Sequence, residues 1–244
     1  MKTNLPIWSD GPAEILEKAF DLLAENKESS TRISMILVDN ATELMLQTYV
    51  SLPKRVTGIS ISRAQRDEYC KNFPSLLDGI EELADEKLIG LSLGEFEWLH
   101  RIRNRLYHDG NGLTVKKSLV EIYAELSLKL FSSLFGAELN LGRNVGERAN
   151  KIGKFLNNWI ELERDIFKLA NLEKKAPLIA AIRRLQTDDK ITEEQFFQIM
   201  QVVQIRNQLV HGQSDTDTML KSENLIKLSN VRMLVDKLKR ETNS

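Results

Sequence analysis

An all-α protein is what this sequence predicts, and three observations predict it. Apolar residues recur at helical spacing along most of the 244 residues, glycine (12) and proline (5) are too scarce for a many-turned all-β fold, and the breaks carry helix-end signals. The first helix opens at Pro12, a residue suited to a first turn, and carries Ile15, Leu16, Ala19, Phe20, Leu22 and Leu23. After the polar break 26–30, a second helix sets Ile33, Ile36, Leu37, Ala41, Leu44 and Thr48 on one stripe and stops before Pro53. Residues 52–62 (LPKRVTGISIS), with a proline, a glycine and four β-branched residues, read as a loop. Helices are expected over 73–89, ended by Gly90, over 92–107, ended by His108-Asp109-Gly110-Asn111-Gly112, and over 114–135, ended by Gly136. After a polar stretch through Gly146 the pattern restarts, with helices over 147–172, 177–185, 192–210 and 220–239. The third of these opens on Thr192-Glu193-Glu194-Gln195, which fits the Ser/Thr-x-x-Glu/Gln capping box. The restart divides the chain into domains 1–138 and 139–244, each long enough to bury a core.

Charge narrows the function classes. With 34 basic against 35 acidic residues the net charge is −1, which excludes a strongly basic nucleic-acid coat, so any nucleic acid must meet a local patch. Cys70 is the single cysteine, which excludes an internal disulfide, a CxxC redox pair and a zinc site needing two thiolates. No metal or cofactor motif is found, and a catalytic site free of both is expected. No apolar run approaches 18 residues and Met1 to Asp10 has no signal-peptide core, so a cytoplasmic protein without a membrane segment is expected.

An internal repeat carries the chemistry. Ile102-Arg103-Asn104-Arg105-Leu106-Tyr107-His108 matches Ile205-Arg206-Asn207-Gln208-Leu209-Val210-His211 at five of seven positions, each at the end of a predicted helix. Two of the chain's three histidines fall here at equivalent places. A weaker echo pairs Asp39 and Glu43, spaced i, i+4 in the second helix, with Glu161 and Asp165 in the first helix of the second half.

At about 100° per residue, the core stripe of Leu99, Ile102 and Leu106 leaves Asn104 and His108 on the far side of the helix, one turn apart. Arg103 lies on the flank of that stripe. The partial negative charge of a helix C-terminus favours imidazolium and is expected to raise the histidine pKa toward neutrality or above, which suits a general acid. Arginine supplies a fork of donors for a phosphate, and asparagine orients a histidine or a substrate hydroxyl without titrating. If two such outward faces dock, two histidines can serve as base and acid in cleaving RNA through its own 2′-hydroxyl, with two arginines stabilising the transition state. The same residues also have a structural reading, in which Arg-Asn caps carbonyls and pairs with Asp39, Glu43, Glu161 or Asp165.

The Arg-Asn-x3-His arrangement resembles the signature of the HEPN superfamily, the higher eukaryotes and prokaryotes nucleotide-binding domains, whose motif is Arg, four to six residues, then His. Arg103-Asn104 with His108, and Arg206-Asn207 with His211, both match at spacing four. The resemblance spans most of residues 12–136 and 147–240, although only the motif is specific. It implies two HEPN-like helical bundles in tandem, packed as an intramolecular pseudo-dimer or joined in a homodimer, with a metal-independent endoribonuclease site composed from both motifs. Arg103, Asn104, His108, Arg206, Asn207 and His211 would be its catalytic set, with Asp39, Glu43, Glu161 and Asp165 in support. RNA is the expected substrate, and an antitoxin or regulatory protein in a toxin–antitoxin or phage-defence setting the expected partner. HEPN toxins silenced by nucleotidyltransferase antitoxins carry a tyrosine two residues after the histidine; here those positions are Gly110 and Gln213, which speaks against that form of inactivation. The rival reading is a noncatalytic HEPN-like module that binds RNA, a nucleotide or a partner protein through the same residues.

Arg101, Arg105 and Lys116 are expected to bind substrate beside Arg103, with Lys117, Lys54, Arg55 and Arg63 as further members of a local RNA track or of an ordinary solvated face. His100 has no counterpart in the second half, where Val203 stands, and reads as structural or incidental. Trp8, Trp98 and Trp159 read as packing residues, and Cys70 as a small buried group.

Overall fold

The computed structural model describes residues 5–108, 114–139, 147–212 and 215–242, and every regular element among them is a helix. The chain divides into two compact units, Met1–Ala149 and Asn150–Ser244.

In the first unit α1 (Asp10–Ala24) and α2 (Glu28–Ser51) pack along each other. After the one-turn α3 (Lys54–Thr57) come α4 (Arg63–Tyr69), α5 (Phe73–Ala84), α6 (Leu93–His108) and α7 (Lys117–Phe135). The long α2 is the hub, contacting α1, α4, α5, α6 and α7. Leu16, Met35, Val38, Met45, Leu76, Ile80, Phe96, Leu99, Tyr123 and Phe131 are fully buried. At roughly 1.5–3 kcal/mol for each large side chain taken from water, this apolar interior is what holds the bundle.

The expected helices are present, with local differences. Loop 52–62 contains the turn α3, and α4 lies in a stretch for which no helix was expected; its start, Ser62 with Gln65, is a capping box of the kind recognised at Thr192. The predicted helix 73–89 ends as α5 at Ala84 and continues as a 3₁₀ turn over Asp85–Leu88. Gly136 closes α7 in the left-handed region, with φ 65°.

The face that α2 buries also differs from expectation. Ile33 is 48% exposed, and Ile36, Leu37, Leu44 and Thr48 are only half-buried, whereas Ser34, Asp39 and Thr42 lie inside among Met35, Val38, Met45 and Tyr49. Of the expected stripe Ala41 alone is fully buried. A hub helix contacts neighbours around much of its circumference, so its most apolar stripe need not be its most buried one. The polar groups satisfy themselves: Ser34 Oγ donates to the Ala19 carbonyl at 2.8 Å, and Thr42 Oγ1 lies 2.8 Å from both the Val38 carbonyl and Ser127 Oγ.

In the second unit α8 (Glu147–Ala170) is followed by α9 (Leu178–Thr187), α10 (Glu193–Val210), the one-turn α11 (Thr216–Met219) and α12 (Ser222–Thr242), with the first residues of α8 falling before the division. The expected helix 220–239 thus begins at Ser222, behind α11. α10 packs on α9, α11 and α12. Ile152, Leu156, Leu162, Ile166, Ile182, Leu185, Ile199, Val202, Leu209 and Val235 are fully buried.

Gly79 of α5 sits beneath the Tyr69 ring of α4; a Cβ there would stand 2.6 Å from Tyr69 Cγ and 3.0 Å from Tyr69 Cβ, atoms that cannot swing aside. G79A is expected to destabilise the protein by about 1–2 kcal/mol in urea unfolding, because overpacking outweighs the roughly 1 kcal/mol helix preference for alanine. A more stable variant would show that Tyr69 yields freely.

Candidate functional site

The first motif is built on a buried carboxylate. Asp39, midway along α2, has no exposed surface, and three side chains from two other helices converge on it. From α6, Arg103 places Nε 3.2 Å from Oδ2, an ion pair whose N–H is not aligned for a hydrogen bond. Also from α6, His100 Nδ1 lies 3.0 Å from both carboxylate oxygens. From α7, the Tyr123 hydroxyl donates to Oδ1 at 2.8 Å. An ionised carboxylate only accepts, so His100 carries its proton on Nδ1 when neutral. Its ring stacks on Phe73 at 4.0 Å and 6°, which fixes its plane. Burial first, and the Asp39 charge second, push the Tyr123 pKa well above its ordinary value, so the phenol stays a donor.

The Arg103 guanidinium is held further. Nη1 donates to Asn104 Oδ1 at 2.9 Å and Nη2 to Asn40 Oδ1 at 2.7 Å, while the exposed Tyr107 ring lies 5.6 Å from the guanidinium carbon. Guanidinium has five N–H donors, so one proton on each Nη has no protein partner among the described residues. The side chain is 19% exposed, enough for an anion to reach one edge of it. His108 is the last residue of α6, and its side chain lies outside the described residues, as do Gly110 and Gln213.

The second motif stands in different surroundings. Arg206 is 5% exposed, with its guanidinium carbon 5.7 Å from the centre of the buried Trp159 ring of α8. Desolvation pushes its pKa down to about 10, still charged at neutral pH. The flank position expected for this arginine is therefore an inward one, since Ile205 and Leu209 on either side of it are themselves buried. Asn207 is exposed, and His211, directly after α10, is half-buried. Its pKa is lowered, by burial first and by the Arg206 charge second. That reverses the expectation drawn from the helix C-terminus. The backbone N–H of His211 already bonds the Asn207 carbonyl and that of Gly212 the Leu209 carbonyl, and a cation in the preceding turn opposes the dipole.

The supporting carboxylates divide in the same way. Asp39 pairs with the motif arginine, but Glu43 accepts from Gln47 at 3.1 Å. Glu161 takes Arg232 at 2.9 Å, and Asp165 takes Lys239 at 2.9 Å and Arg232 at 3.5 Å, all from α12. The i, i+4 echo between the halves is thus one of spacing and not of contacts. Arg101 and Arg105 are exposed, opposite the inward Arg103, because alternate helical residues stand about 200° apart; Arg101 pairs with Glu97. Lys116, exposed, precedes α7, and Lys117 bonds Asn26 at 3.0 Å.

His100, Asn40 and Tyr123 were not singled out as site residues. For His100 a signal existed: it precedes Arg103 by three residues and so shares its face. Tyr123 and Asn40 carry no local signal. No group of three or more His, Cys, Asp or Glu among the described residues has a geometry that could hold a metal ion, and no helix there is long and apolar enough to cross a membrane.

No protein-family model, curated protein or solved structure matches this chain.

D39N leaves the half-buried Arg103 without its counter-charge, and urea unfolding is expected to show a loss of about 2–3 kcal/mol. A loss below about 1 kcal/mol would mean that Asn40 and Asn104 suffice to hold the arginine. The imidazole of His211 is expected to titrate below pH 6.5 in proton NMR, and nearer 6.5 in R206M. A midpoint above 6.5 in the parent protein would show that the helix terminus, not burial and Arg206, governs it.

Proposed function

We propose that this protein is a metal-independent endoribonuclease of HEPN type, whose chemistry requires both Arg-Asn-x3-His motifs. One observation carries the reading: Arg103 is held in place by Asp39, Asn40 and Asn104 while a donor on each Nη remains available to a phosphate. A guanidinium fixed before substrate arrives need not reorganise as charge builds on the phosphorane oxygens. His211, with its lowered pKa, is predominantly neutral near pH 7 and suits the base that takes the proton of the 2′-hydroxyl. His108 is then assigned as the acid that protonates the departing 5′-oxygen, leaving a 2′,3′-cyclic phosphate and a 5′-hydroxyl. Asn104 and Asn207 position these groups. Enzymes with this resemblance serve in toxin–antitoxin and defence systems, which is the setting proposed here.

A second reading, a noncatalytic module that binds RNA, a nucleotide or a partner protein, is favoured by one observation: Arg206 is too buried to offer a phosphate more than an edge.

Labelled single-stranded RNA and tRNA incubated with the protein in EDTA separate the two readings. The expected result is fragments ending in 2′,3′-cyclic phosphate, with cleavage reduced about 10²–10⁴-fold in H108A or H211A at unchanged helicity. Undiminished cleavage by H108A/H211A would overturn the assignment. Saturable RNA binding without products, weakened by R103A, would establish the binding module instead.

A further inference from the structure

A second concave site lies away from Asp39, where the end of α2, the turn α3 and the start of α4 enclose about 270 Å³. Val50 on its wall stands eleven residues along α2 from Asp39, about 16 Å at the helical rise. The apolar part of the lining is Val50, Leu52, Ile59 and Ile61, and the charged part is Lys54, Arg63 and Arg66, with no carboxylate among the lining residues.

The cations are only partly neutralised. Asp67 takes Arg66 at 3.2 Å and Arg63 at 3.9 Å, whereas Lys54 has no ion-pair partner among the described residues. Two lining hydroxyls, Ser51 and Ser60, have no hydrogen-bond partner among those residues either. Three cations against one carboxylate, with two available hydroxyls beside them, form a donor-rich rim over an apolar floor. Phosphate is matched by that donor set, and the floor asks for an apolar body attached to it. A cleft of this size is near the lower end of ligand pockets, about 300 Å³, so the occupant must be compact.

We propose that the cleft between α2, α3 and α4 binds a small phosphomonoester, with its phosphate on Lys54, Arg63 and Arg66 and its apolar body against Val50, Leu52, Ile59 and Ile61. The site is independent of the ribonuclease reading, because Asp39, Asn40 and Asn104, which hold Arg103, do not line it. It accounts for the local placement of Lys54 and Arg63, which the sequence left between an RNA track and a solvated face.

Amide correlation spectra of the full chain, titrated with phenyl phosphate, inorganic phosphate and benzyl alcohol, test it. Phenyl phosphate is expected to give saturable shifts centred on residues 50–66, inorganic phosphate to bind at least about fivefold more weakly, and benzyl alcohol not to saturate. K54Q/R63Q keeps the exposed stems but removes two charges, and should weaken phenyl phosphate at least about tenfold. No saturable shift by about 10 mM phenyl phosphate, equal affinity for inorganic phosphate, or undiminished affinity in K54Q/R63Q would each overturn the proposal.

Discussion

The first unit is organised around one carboxylate out of reach of water. Asp39 on α2 receives Arg103 and His100 from α6 and Tyr123 from α7, so a single buried group ties three helices at one height. Burying a charge costs several kcal/mol unless partners replace its hydration, and here a guanidinium, an imidazole N–H and a phenol do so. The geometric consequence matters more than the net energy. A bundle held only by apolar contacts tolerates small slides of one helix on another, whereas two hydrogen-bonding side chains and an ion pair on one carboxylate tolerate few. The register of α6 against α2 sets the position of Arg103, and through it that of Asn104.

Around this point the interior of α2 is unusually polar. Ser34, Thr42 and Ser127 each find a hydroxyl or carbonyl partner, so the hub helix turns inward a face that periodicity alone assigns to the outside. The displaced apolar positions, Ile33 above all, are left facing outward. Polar groups inside a helical bundle specify which helices meet and in what register, a role apolar side chains fill less sharply.

The two copies of the motif show how far identical residues diverge with their surroundings. Arg103 rests on a carboxylate and two asparagines and keeps an accessible edge, while Arg206 is sealed beside an indole and has its pKa drawn down. The difference reaches the neighbouring histidine, since an adjacent buried cation disfavours imidazolium at His211. The two motif arginines are thereby chemically unequal although the residues around them in sequence are nearly the same.

Local rules in the sequence were enough for the all-α class, most of the helices, the Thr192 capping box and the doubled Arg-Asn-x3-His motif. Period, caps and breakers act within a few residues, so they can be read from the chain itself. The partners of those motifs could not be. Asp39 meets His100 and Tyr123 across 61 and 84 residues, and Trp159 of α8 meets Arg206 of α10 with the whole of α9 between them in the chain. The carboxylate spacing shared by Asp39 and Glu43 with Glu161 and Asp165 looked equivalent in sequence, yet α6 claims Asp39 whereas α12 claims Glu161 and Asp165. Side-chain chemistry and helical phase are properties of the chain alone. Burial, pairing and the direction of a pKa shift belong to the packing, because they depend on which distant surfaces exclude water from the same point.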